Sequence, residues 1–409
     1  MIFMKGFLRS NIKKECFGCE ACVQACPQNI IVMQKDEEGF YYPKLDENEC
    51  NRCDFCHKIC PMEAGIEKFN EDQTAFGGYI KNSKIRDGST SGGAFSAIVS
   101  NWCDENYVIF GVASDGLNVF HDYITDKKNL GLFRKSKYLQ SKIGSAYEDV
   151  KKFLIEGKKV IFSGTPCQIA GLNSYLKLYD TTNLLTIEVI CEGVPTPFFM
   201  ERYEEYIVMK YGSKIAKLDY RFTDMQSFDN YGTGRWDFQV MHITLDNGIK
   251  KKMDRWFNPF WDIWLNHLMS RPSCYECPFT TKNRVADITL GDLWGVHLYC
   301  PELYGKNGGS SLIICNTDKG KKALNLSKKE LYGHSLDIDE AIKYQSPMRN
   351  SIDYNKDRAE FIRDVKRMNY NQLCDKWYRK PKLKLIIDKY LWGNRRRVQL
   401  WNLKNRFKY

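Results

Sequence analysis

Cysteine is the residue type in this chain whose spacing most clearly indicates chemistry. A run of four cysteines in residues 15–27, ECFGCEACVQACP, recurs as ECNRCDFCHKICP in residues 49–61. Each run reads C-x2-C-x2-C-x3-C-P, in which three close thiolates bind one four-iron cube and the fourth reaches another cube. Paired zinc sites are the alternative, but tetrahedral zinc uses two C-x2-C pairs and would leave two cysteines of each run unexplained.

The repeat therefore predicts two [4Fe–4S] clusters that exchange their fourth ligands. The predicted ligands of the first cluster are Cys16, Cys19, Cys22 and Cys60, and those of the second are Cys50, Cys53, Cys56 and Cys26. Residues 11–65 closely resemble bacterial two-cluster ferredoxins. We expect a two-cluster domain over residues 1–72, with a short hairpin between the two cysteine runs.

Four further cysteines suit a third cluster. Cys167 and Cys191 follow two apolar segments, 159–163 and 184–190, and a C-x2-C pair occupies residues 274–277. If both segments are parallel strands, right-handed crossovers place their carboxyl ends at one edge of the sheet, where open α/β sheets bind ligands. Two small buried thiols, together with half a zinc site or a redox dithiol, explain the spacing equally well. A nucleophilic Cys167 would need a base, and none of the six histidines lies near it in sequence.

The segment RDGSTSGGAFSAI, residues 86–98, is a candidate for binding a phosphate. Its hydroxyl-bearing residues and its glycines are Ser89, Thr90, Ser91, Gly92 and Gly93. A helix is expected directly afterwards, and the free N–H groups at its amino end favour an anion. An ordinary helix cap of Ser and Gly is the simpler interpretation of the same residues. The chain has neither a G-x-G-x-x-G after a strand nor a Walker phosphate loop.

The elements that position these motifs alternate between predicted helices and strands. Helices are expected at 94–102, 145–157, 168–176 and 197–212, and strands at 107–113, 159–164 and 184–193. This alternation is typical of a largely parallel sheet with helical crossovers. A hairpin over 236–254 and an aromatic helix over 256–268 are expected to follow. The aromatic residues of that helix indicate a pocket wall or, more commonly, core.

The predicted fold class is an α+β two-cluster ferredoxin domain followed by an α/β domain with a mixed, largely parallel sheet. The α/β domain is expected over residues 75–345, and a helical, basic tail over 346–409. The four cysteines outside any pattern are predicted to be packing residues; they are Cys103, Cys300, Cys315 and Cys374.

Six motifs occur in a characteristic order between residues 75 and 340. They are STSGGAFS, SKYLQS, FSGTPCQIAGL, CEGVPTP, SCYECPF and ADITLGDLWG. Together they resemble the β-subunit family of coenzyme F420 hydrogenases and dehydrogenases, whose relatives include 7-hydroxymethyl chlorophyll a reductase and a divinyl-chlorophyllide reductase. Members of this family carry FAD beside a [4Fe–4S] cluster, and several use ferredoxin as electron donor or acceptor. The resemblance implies that Cys167, Cys191, Cys274 and Cys277 bind the third cluster.

The same resemblance implies where FAD binds and which residues could act on a substrate. The implied FAD residues are Ser89, Thr90, Ser91, Gly92, Gly93, Lys137, Tyr138, Gln140, Ser163, Gly164 and Thr165. Lys137 would pair with the pyrophosphate or with a reduced flavin ring, unless it is an ordinary surface lysine of the RKSK stretch. The candidate catalytic residues are Lys137, Glu192 and Asp287.

Three acidic residues lie within these motifs, Glu192, Asp287 and Asp292. Glu192 stands where the family commonly has histidine, which changes the local charge beside Cys191. Asp287 and Asp292 are expected either to orient the cluster loop or substrate, or to cap a turn around Gly291.

The basic charge of the chain is concentrated at its carboxyl end. The whole chain has a net charge of +11, residues 379–409 carry +10, and residues 1–70 carry −2. A nucleic-acid enzyme would more commonly have a basic face on its core, so no nucleic-acid partner is expected. Apolar residues alternate with the basic ones in the tail; they are Leu385, Ile386, Ile387, Tyr390, Leu391, Trp392 and Trp401.

This pattern in the tail predicts docking on an acidic protein such as ferredoxin, or peripheral contact with an anionic membrane. A basic helix that is merely solvated is the alternative. The sequence lacks an apolar run long enough to span a membrane and a signal-peptide pattern, so a cytoplasmic location is expected.

From these features we expect a ferredoxin-dependent flavin and iron–sulfur oxidoreductase, with substrate reduction as its direction. Electrons would pass from ferredoxin, or a similar one-electron donor, through the clusters to FAD and on to a small organic substrate. The alternative is an electron-transfer subunit that docks on a separate catalytic partner and has no organic substrate of its own.

Overall fold

The computed structural model describes residues 5–69, 72–222, 240–253, 255–303, 309–387 and 403. The amino-terminal module consists of short helices around one hairpin. Its elements are α1 (Phe7–Ser10), α2 (Ala21–Gln24), β1 (Ile31–Lys35), β2 (Tyr41–Leu45), α3 (Phe55–Ile59) and α4 (Pro61–Ala64). Strands β1 and β2 are antiparallel, with Ile31 opposite Leu45, which confirms the predicted hairpin between the cysteine runs.

The two cysteine runs follow the same backbone path. Gly18 and Arg52, which occupy equivalent positions of the repeat, both have left-handed φ values, +67° and +59°. Glu20 and Asp54 are also equivalent, have φ values of +60° and +62°, and directly precede α2 and α3. Left-handed backbone is unfavourable for residues other than glycine, so its repetition at matching positions shows that both loops require it.

The rest of the described chain alternates strands with helices. Strands β3 to β13 span Thr74–Ile80, Tyr107–Asp115, Asn118–Ile124, Lys159–Gly164, Leu184–Val189, Ile215–Phe222, Val240–Leu245, Lys250–Met253, Ile288–Asp292, Ser311–Cys315 and Leu331–Leu336. Helices α5 to α16 span Ser83–Asp87, Ala94–Trp102, Ala146–Ile155, Pro166–Tyr175, Phe198–Tyr211, Pro259–Leu265, Val296–Tyr299, Asp318–Ser327, Ile338–Lys343, Arg358–Arg367, Tyr370–Trp377 and Leu383–Ile387. None of the described helices has the length and apolar character needed to cross a lipid bilayer.

The main sheet has eight strands in the order β13-β3-β12-β11-β7-β6-β4-β5. Its four central strands, β11, β7, β6 and β4, are parallel, and the strands on both sides of them are antiparallel. Helix α8 is the crossover between β6 and β7, and α7 leads from β5 back to β6. The predicted α/β class with a mixed sheet is confirmed, with its parallel strands at the centre.

The central strands are covered on both faces. Ile161 and Leu185 pack with α6 and α12 on one face. Val160, Phe162 and Leu184 pack with α7 and α8 on the other face, where Phe17 and Met62 of the amino-terminal module join the same core. Full burial of such side chains contributes about 1.5–3 kcal/mol each. The amino-terminal module therefore shares a core with the main sheet and lies directly on α8.

A smaller antiparallel sheet, ordered β10-β9-β8, packs with α9, α10, α14 and α15. Its β9–β10 hairpin turns at Asp246–Gly248, as predicted for the described part of residues 236–254. The aromatic helix is shorter than predicted because Pro259 is its first residue, and the Asn258 side chain accepts the Phe260 N–H at its start. Phe260, Trp261 and Trp264 of this helix are buried. Most of its aromatic residues therefore belong to the core, which is the more common of the two expected roles.

The predicted strand over 184–193 also ends early. Its pairing with β11 stops at Val189, and the chain then turns away into the loop that carries Cys191. The basic tail contributes α14, α15 and α16. Its residues 388–402 and 404–409, with Tyr390, Leu391, Trp392 and Trp401, lie outside the described residues.

Candidate functional site

The structure brings Cys60 of the second run to the first three cysteines of the first run. Burial raises the pKa of the Cys19 thiol well above its ordinary value, and the charges of Cys60 and Cys16 raise it further. The same holds for Cys22, whose thiol is affected by Cys19, Cys16 and Cys60. Four thiolates this close together in a buried place need compensating positive charge, which the iron of a cluster would supply.

Cys26 lies instead with the cysteines of the second run. Burial raises the pKa of the Cys56 thiol, and the charges of Cys26 and Cys50 add to that effect. Cys53 belongs to the same loop, where its N–H donates to the Asn51 side chain at 3.2 Å. This grouping agrees with the exchange of fourth ligands that the repeat predicts, and cluster binding by these residues stays a prediction.

A backbone N–H points at the first sulfur of each of three cysteine loops. The donor is always the residue two positions later: Gly18 to Cys16 at 3.3 Å, Arg52 to Cys50 at 3.4 Å and Gly193 to Cys191 at 3.4 Å. Each of the three donors has a left-handed φ. Hydrogen bonds to cluster sulfurs tune reduction potentials. The loop around Cys191 thus has the same local geometry as the two ferredoxin-type loops.

Cys167, Cys191, Cys274 and Cys277 lie together at the carboxyl edge of the parallel strands. Burial raises the pKa of the Cys191 thiol well above its ordinary value, and the charges of the other three thiols contribute to the shift. Gly193 lies against this group, since a Cβ at that position would be 3.2 Å from Cys274 Cβ. The gathering of all four thiols favours a cluster site over the alternative of two separate packing residues and a dithiol.

Among the described residues, no group of three or more His, Cys, Asp or Glu converges closely enough to hold a single metal ion. This finding concerns one ion, whereas the four thiolates of a cube each bind a different iron atom. The remaining cysteines pack as predicted. Cys103, Cys300 and Cys315 are buried in core, and Cys374 lies against the core of the smaller sheet.

Helix α8 joins the first and third groups of cysteines. Cys167 is in its first turn, and Gly171 lies one turn later against Cys19 of the amino-terminal module. A Cβ on Gly171 would be 3.0 Å from Cys19 Cβ and 3.1 Å from its Sγ. Because glycine has no side chain, the first cysteine loop lies directly on the helix that carries Cys167.

A cavity of about 470 Å³ lies beside the third group of cysteines. Phe17, from the first cysteine loop, forms part of the wall, and so does the amino end of α6. The predicted site residues that line the cavity are Ser89, Thr90, Ser91, Gly93, Lys137, Tyr138, Gln140, Ser163, Gly164, Thr165, Cys167, Cys191, Glu192, Cys274 and Cys277. Segments more than a hundred residues apart in sequence therefore meet around one space.

At the amino end of α6, the hydroxyl groups already have partners within the protein. Ser89 and Ser91 donate to backbone carbonyls at 2.7 and 2.8 Å, and Thr90 accepts the Ser136 N–H at 3.1 Å. The N-cap residue is Gly93, which offers no side-chain acceptor to the first-turn N–H groups. Those backbone N–H groups, rather than the hydroxyls, are the donors best placed for an anion in the cavity.

Gly92 has a packing role. A Cβ on Gly92 would clash with the Gly78 carbonyl oxygen and would be 2.6 Å from the Ser311 N. The Gly92 carbonyl accepts the Ile80 N–H at 2.7 Å, which holds the turn on strand β3. These groups belong to the protein's own sheet, so the contacts favour a packing role for Gly92 over the expected approach of its backbone to an anion.

Lys137 is the charged residue that was expected to pair with an anionic group of the flavin. Its Nζ donates to the carbonyls of Leu132 and Arg134 at 3.2 and 2.9 Å, and the residue lines the cavity. Burial lowers the pKa of Lys137 to about 8, while Asp219 raises it and neighbouring lysines lower it. Lys137 is therefore not the ordinary surface lysine of the alternative interpretation.

Tyr138 and Gln140 are held by contacts within the protein. The Tyr138 ring packs edge-on against Trp261 and Trp264, with centroids 4.9 and 5.0 Å apart. Gln140 Nε2 donates to the Phe17 carbonyl at 2.8 Å, and Gln140 Oε1 accepts from Arg271 at 3.1 Å. Gln140 thus connects the first cysteine loop to the wall of the cavity.

The loop Ser163–Thr165 connects β6 to α8. The Ser163 hydroxyl donates to the Phe110 carbonyl at 3.2 Å. Thr165 caps α8 in a reciprocal capping box with Gln168, and its hydroxyl is 3.2 Å from Cys167 Sγ. These contacts fix the direction in which Cys167 leaves the strand.

The candidate catalytic acids differ in their placement. Glu192 lines the cavity, and burial raises the pKa of its carboxyl while Arg255 opposes the shift. Asp287 accepts the N–H and hydroxyl of Thr186, both at 2.9 Å, and the hydroxyl of Thr317 at 2.6 Å. Asp287 therefore ties β7, β11 and α12 together, and these contacts favour a structural role over the expected action on a substrate.

Sequence reasoning missed several charged residues of the cavity wall. One of them is Arg221, which forms an ion pair with Asp292 at 2.7 Å. Arg284 pairs with Glu188 in the buried interior. Arg271 is buried among the cysteine loops, and its only signal in the sequence is its position three residues before Cys274.

Two family models match this chain. Residues 157–340 match the family described as the carboxyl-terminal part of the beta subunit of coenzyme F420 hydrogenase/dehydrogenase. Residues 15–64 match the 4Fe-4S dicluster domain. The first match covers most of the cavity wall, and the second covers the repeated cysteine runs.

Curated relatives match the amino-terminal module. An uncharacterized ferredoxin of Methanocaldococcus jannaschii is 38% identical over 56 residues, which are 14% of this chain and 71% of that protein. The ketoisovalerate oxidoreductase subunit VorC of Methanothermobacter marburgensis is 33% identical over 66 residues, 15% of this chain and 84% of that protein. The pyruvate synthase subunit PorD of Methanocaldococcus jannaschii is 37% identical over 60 residues, 15% of this chain and 64% of that protein.

Among solved structures, a chain of the xenon-derivatized F420-reducing [NiFe] hydrogenase complex from Methanosarcina barkeri aligns with a TM-score of 0.43 and 14% identity. The alignment covers 76% of this chain and 91% of that chain. The two family matches show that residues 157–340 carry the domain described as the carboxyl-terminal part of the beta subunit of coenzyme F420 hydrogenase/dehydrogenase, and that residues 15–64 carry a 4Fe-4S dicluster ferredoxin domain.

Proposed function

We propose that this protein is an iron–sulfur electron-transfer subunit that holds three [4Fe–4S] clusters and FAD and exchanges electrons with a protein partner. When bound, clusters of this kind exchange single electrons and a flavin exchanges one or two. One observation carries the proposal: α8 lies between the first and third groups of cysteines, and the third group borders the cavity.

The donor groups fit iron–sulfur clusters. Each of the three cysteine groups is partly or fully buried, and N–H groups donate to Cys16, Cys50 and Cys191. Thiolate is the preferred ligand of iron–sulfur clusters. The chain's own part is to hold the thiols at fixed positions, to exclude water from them and to donate hydrogen bonds to their sulfurs.

The cavity fits a flavin nucleotide. Its wall combines backbone N–H groups at the amino end of α6, which favour an anionic phosphate, with the ammonium of Lys137 and the ring of Tyr138. Cys167 and Cys191 border the same space. Pockets for cofactors are commonly apolar with a few convergent polar groups, which describes this wall.

The names of the relatives favour a subunit over a self-contained enzyme. VorC and PorD are both named as subunits of oxidoreductases, and the family model describes a beta subunit. The amino-terminal module carries a net charge of −2, and the tail over 379–409 carries +10. Opposite charges in these two segments of the sequence suit protein partners of opposite charge.

A second function, reduction of an organic substrate by the chain itself, is favoured by one feature of the cavity. The wall beside the cysteines also includes Glu192, the Arg221–Asp292 pair and the aromatic rings of Trp261 and Trp264. Charged and aromatic groups together can bind a planar, polar molecule. We place this function second because the relatives named above are subunits.

Anaerobic purification of the full chain tests the proposal. We expect about twelve iron and twelve acid-labile sulfide atoms per chain, one FAD, and a stoichiometric redox partner when the protein is isolated from its native cells. Zinc in place of iron, or about eight iron with a full complement of flavin, would contradict the cluster assignment. Turnover of a small molecule by the isolated chain, without any partner, would favour the second function.

A further inference from the structure

Arg271 is a fully buried guanidinium between the first and third groups of cysteines. Only 1% of the residue is exposed. Its Nε donates to the Cys16 carbonyl at 2.9 Å, and it lies three residues before Cys274 in sequence. Burial alone would lower the pKa of the guanidinium, but the charges of Cys16, Tyr42, Cys274 and Cys167 raise it.

Within the described part of the chain, the hydrogen-bond acceptors of Arg271 are all neutral. They are the carbonyls of Cys16 and Tyr41, at 2.9 and 3.0 Å, and the side-chain amide of Gln140, at 3.1 Å. The two other buried arginines near the cysteines differ in this respect, because Arg284 pairs with Glu188 and Arg358 pairs with Glu38. A buried charge needs a compensating anion, and for Arg271 the thiolates of the two cysteine groups are the anions at hand.

The surroundings hold the guanidinium in one position. It lies over the Tyr42 ring, 4.3 Å from the centroid, and 5.5 Å from the centroid of Phe40. Gly18, with φ of +67°, lets it approach the first cysteine loop, since a Cβ at residue 18 would be 3.0 Å from Arg271 Nη1. Three hydrogen bonds and a stacked ring leave the charge little freedom to move.

We propose that Arg271 compensates the negative charge of the first and third clusters and raises the reduction potentials of both. The inference rests on the proposed function, because it requires clusters at both cysteine groups. A four-iron cube with four thiolate ligands is negatively charged, and each one-electron reduction adds one negative charge. A fixed cation beside both groups stabilises their reduced forms, which raises both potentials.

This compensation needs no proton. Arginine keeps its charge throughout the accessible pH range, so one electron enters the cluster and nothing else has to move. The potentials of the first and third clusters should therefore change little with pH near neutrality. The second group of cysteines has no contact with Arg271 among its described interactions and serves as an internal reference.

The test is an anaerobic redox titration of the cluster-loaded full chain, followed by electron paramagnetic resonance. In Arg271→Gln we expect the midpoint potentials of the first and third clusters to fall, and that of the second cluster to stay where it is. Arg271→Lys keeps a positive charge but loses the planar guanidinium, so the midpoint potentials of both clusters should stay close to those of wild type. Arg86→Gln is the matched control, because Arg86 stacks on Tyr79 and donates to the Gly309 carbonyl.

Equal shifts in the Gln and Lys variants would show that Arg271 acts through its hydrogen bonds, and unchanged potentials would show that it has no effect; either result overturns the proposal. If Arg271→Gln does not retain clusters, Gln140→Glu provides a second test. That isosteric change places a carboxylate on Arg271 Nη1, and it should lower both potentials. Unchanged potentials there would also overturn the proposal. A wild-type protein without a third cluster would contradict the proposed function, while its first cluster would still report on Arg271.

Discussion

Cys19 lies against Gly171 of α8, and Gly171 is one helical turn after Cys167. A Cβ atom on residue 171 would be only 3.1 Å from Cys19 Sγ. The first and third groups of cysteines thereby lie on the two sides of one short helix segment. The Tyr147 hydroxyl fixes this segment by donating to the Gln168 carbonyl at 2.8 Å. The contact makes residue 171 a direct test of whether electrons pass between the two groups.

Replacing Gly171 by Val should slow electron transfer between the amino-terminal clusters and the cavity. Its side chain would have to displace Cys19 or the helix, since both Cys19 Cβ and Sγ are within 3.1 Å of the new Cβ. Gly131→Ala is the control, because a Cβ there meets nothing within 4 Å. Rapid mixing with a one-electron donor measures the rate. An unchanged rate in a folded, cluster-loaded Gly171→Val protein would argue against transfer across α8.

Cys167→Ser should remove one cluster and leave two. Hydroxyl is a much poorer iron ligand than thiolate, so the iron content should fall from about twelve to about eight atoms per chain. Cys374→Ser should leave the iron content unchanged, because Cys374 packs in the core of the smaller sheet. Iron and sulfide analysis after anaerobic reconstitution measures both. If the two variants contain the same iron as wild type, Cys167 is a packing residue.

Affinity for FAD should fall as the pH rises through about 8. Lys137 has a folded-state pKa of about 8, so its ammonium is charged at pH 7 and largely neutral at pH 9, whereas the pyrophosphate of FAD stays negative. Asp219, Lys135 and Lys217 are the charged groups that act on it. Equilibrium dialysis at several pH values measures the affinity.

Lys137→Met should bind FAD more weakly at pH 7 and should lose the pH dependence between 7 and 9. Lys177 is an exposed lysine, so Lys177→Met is the control and should bind FAD with the same affinity and pH dependence as wild type. A pH dependence that persists in Lys137→Met would assign it to another group.

Asp287→Asn should affect stability and leave FAD binding unchanged. Asp287 accepts three hydrogen bonds, two from Thr186 and one from Thr317, and the amide group cannot replace all of them. A loss of about 1–3 kcal/mol in unfolding free energy is expected, and denaturant titration measures it. Weaker FAD binding without loss of stability would restore the interpretation of Asp287 as a site residue.

The grouping of the cysteines could be predicted from the sequence, and the contacts that surround them could not. The spacing of the two runs was enough to assign Cys60 to the first group and Cys26 to the second, because the repeat has one known solution. Cys167 and Cys191 could be placed at one edge because parallel strands with short crossovers leave little choice of topology.

The sequence could not show the partners of residue types that have several uses. Gly92 and Asp287 lie in segments that resemble binding turns, but their partners in the structure are backbone and hydroxyl groups far away in sequence. The role of Arg271 could not be read from its position before Cys274 alone, because its partners, Cys16, Tyr41 and Gln140, come from three distant segments. The contact between Gly171 and Cys19 was also invisible, since it depends on how the amino-terminal module packs on α8.

The most direct test of the central claim is flavin reduction by a one-electron donor in anaerobic rapid-mixing experiments. The full chain, loaded with clusters and FAD, is mixed with reduced ferredoxin, and the flavin absorbance is followed in wild type and in Cys167→Ser. The account predicts rapid flavin bleaching in wild type and a large loss of rate in Cys167→Ser, with the two amino-terminal clusters still reduced in both. Equal rates of flavin bleaching in the two proteins, or a wild-type chain that binds no flavin, would contradict it.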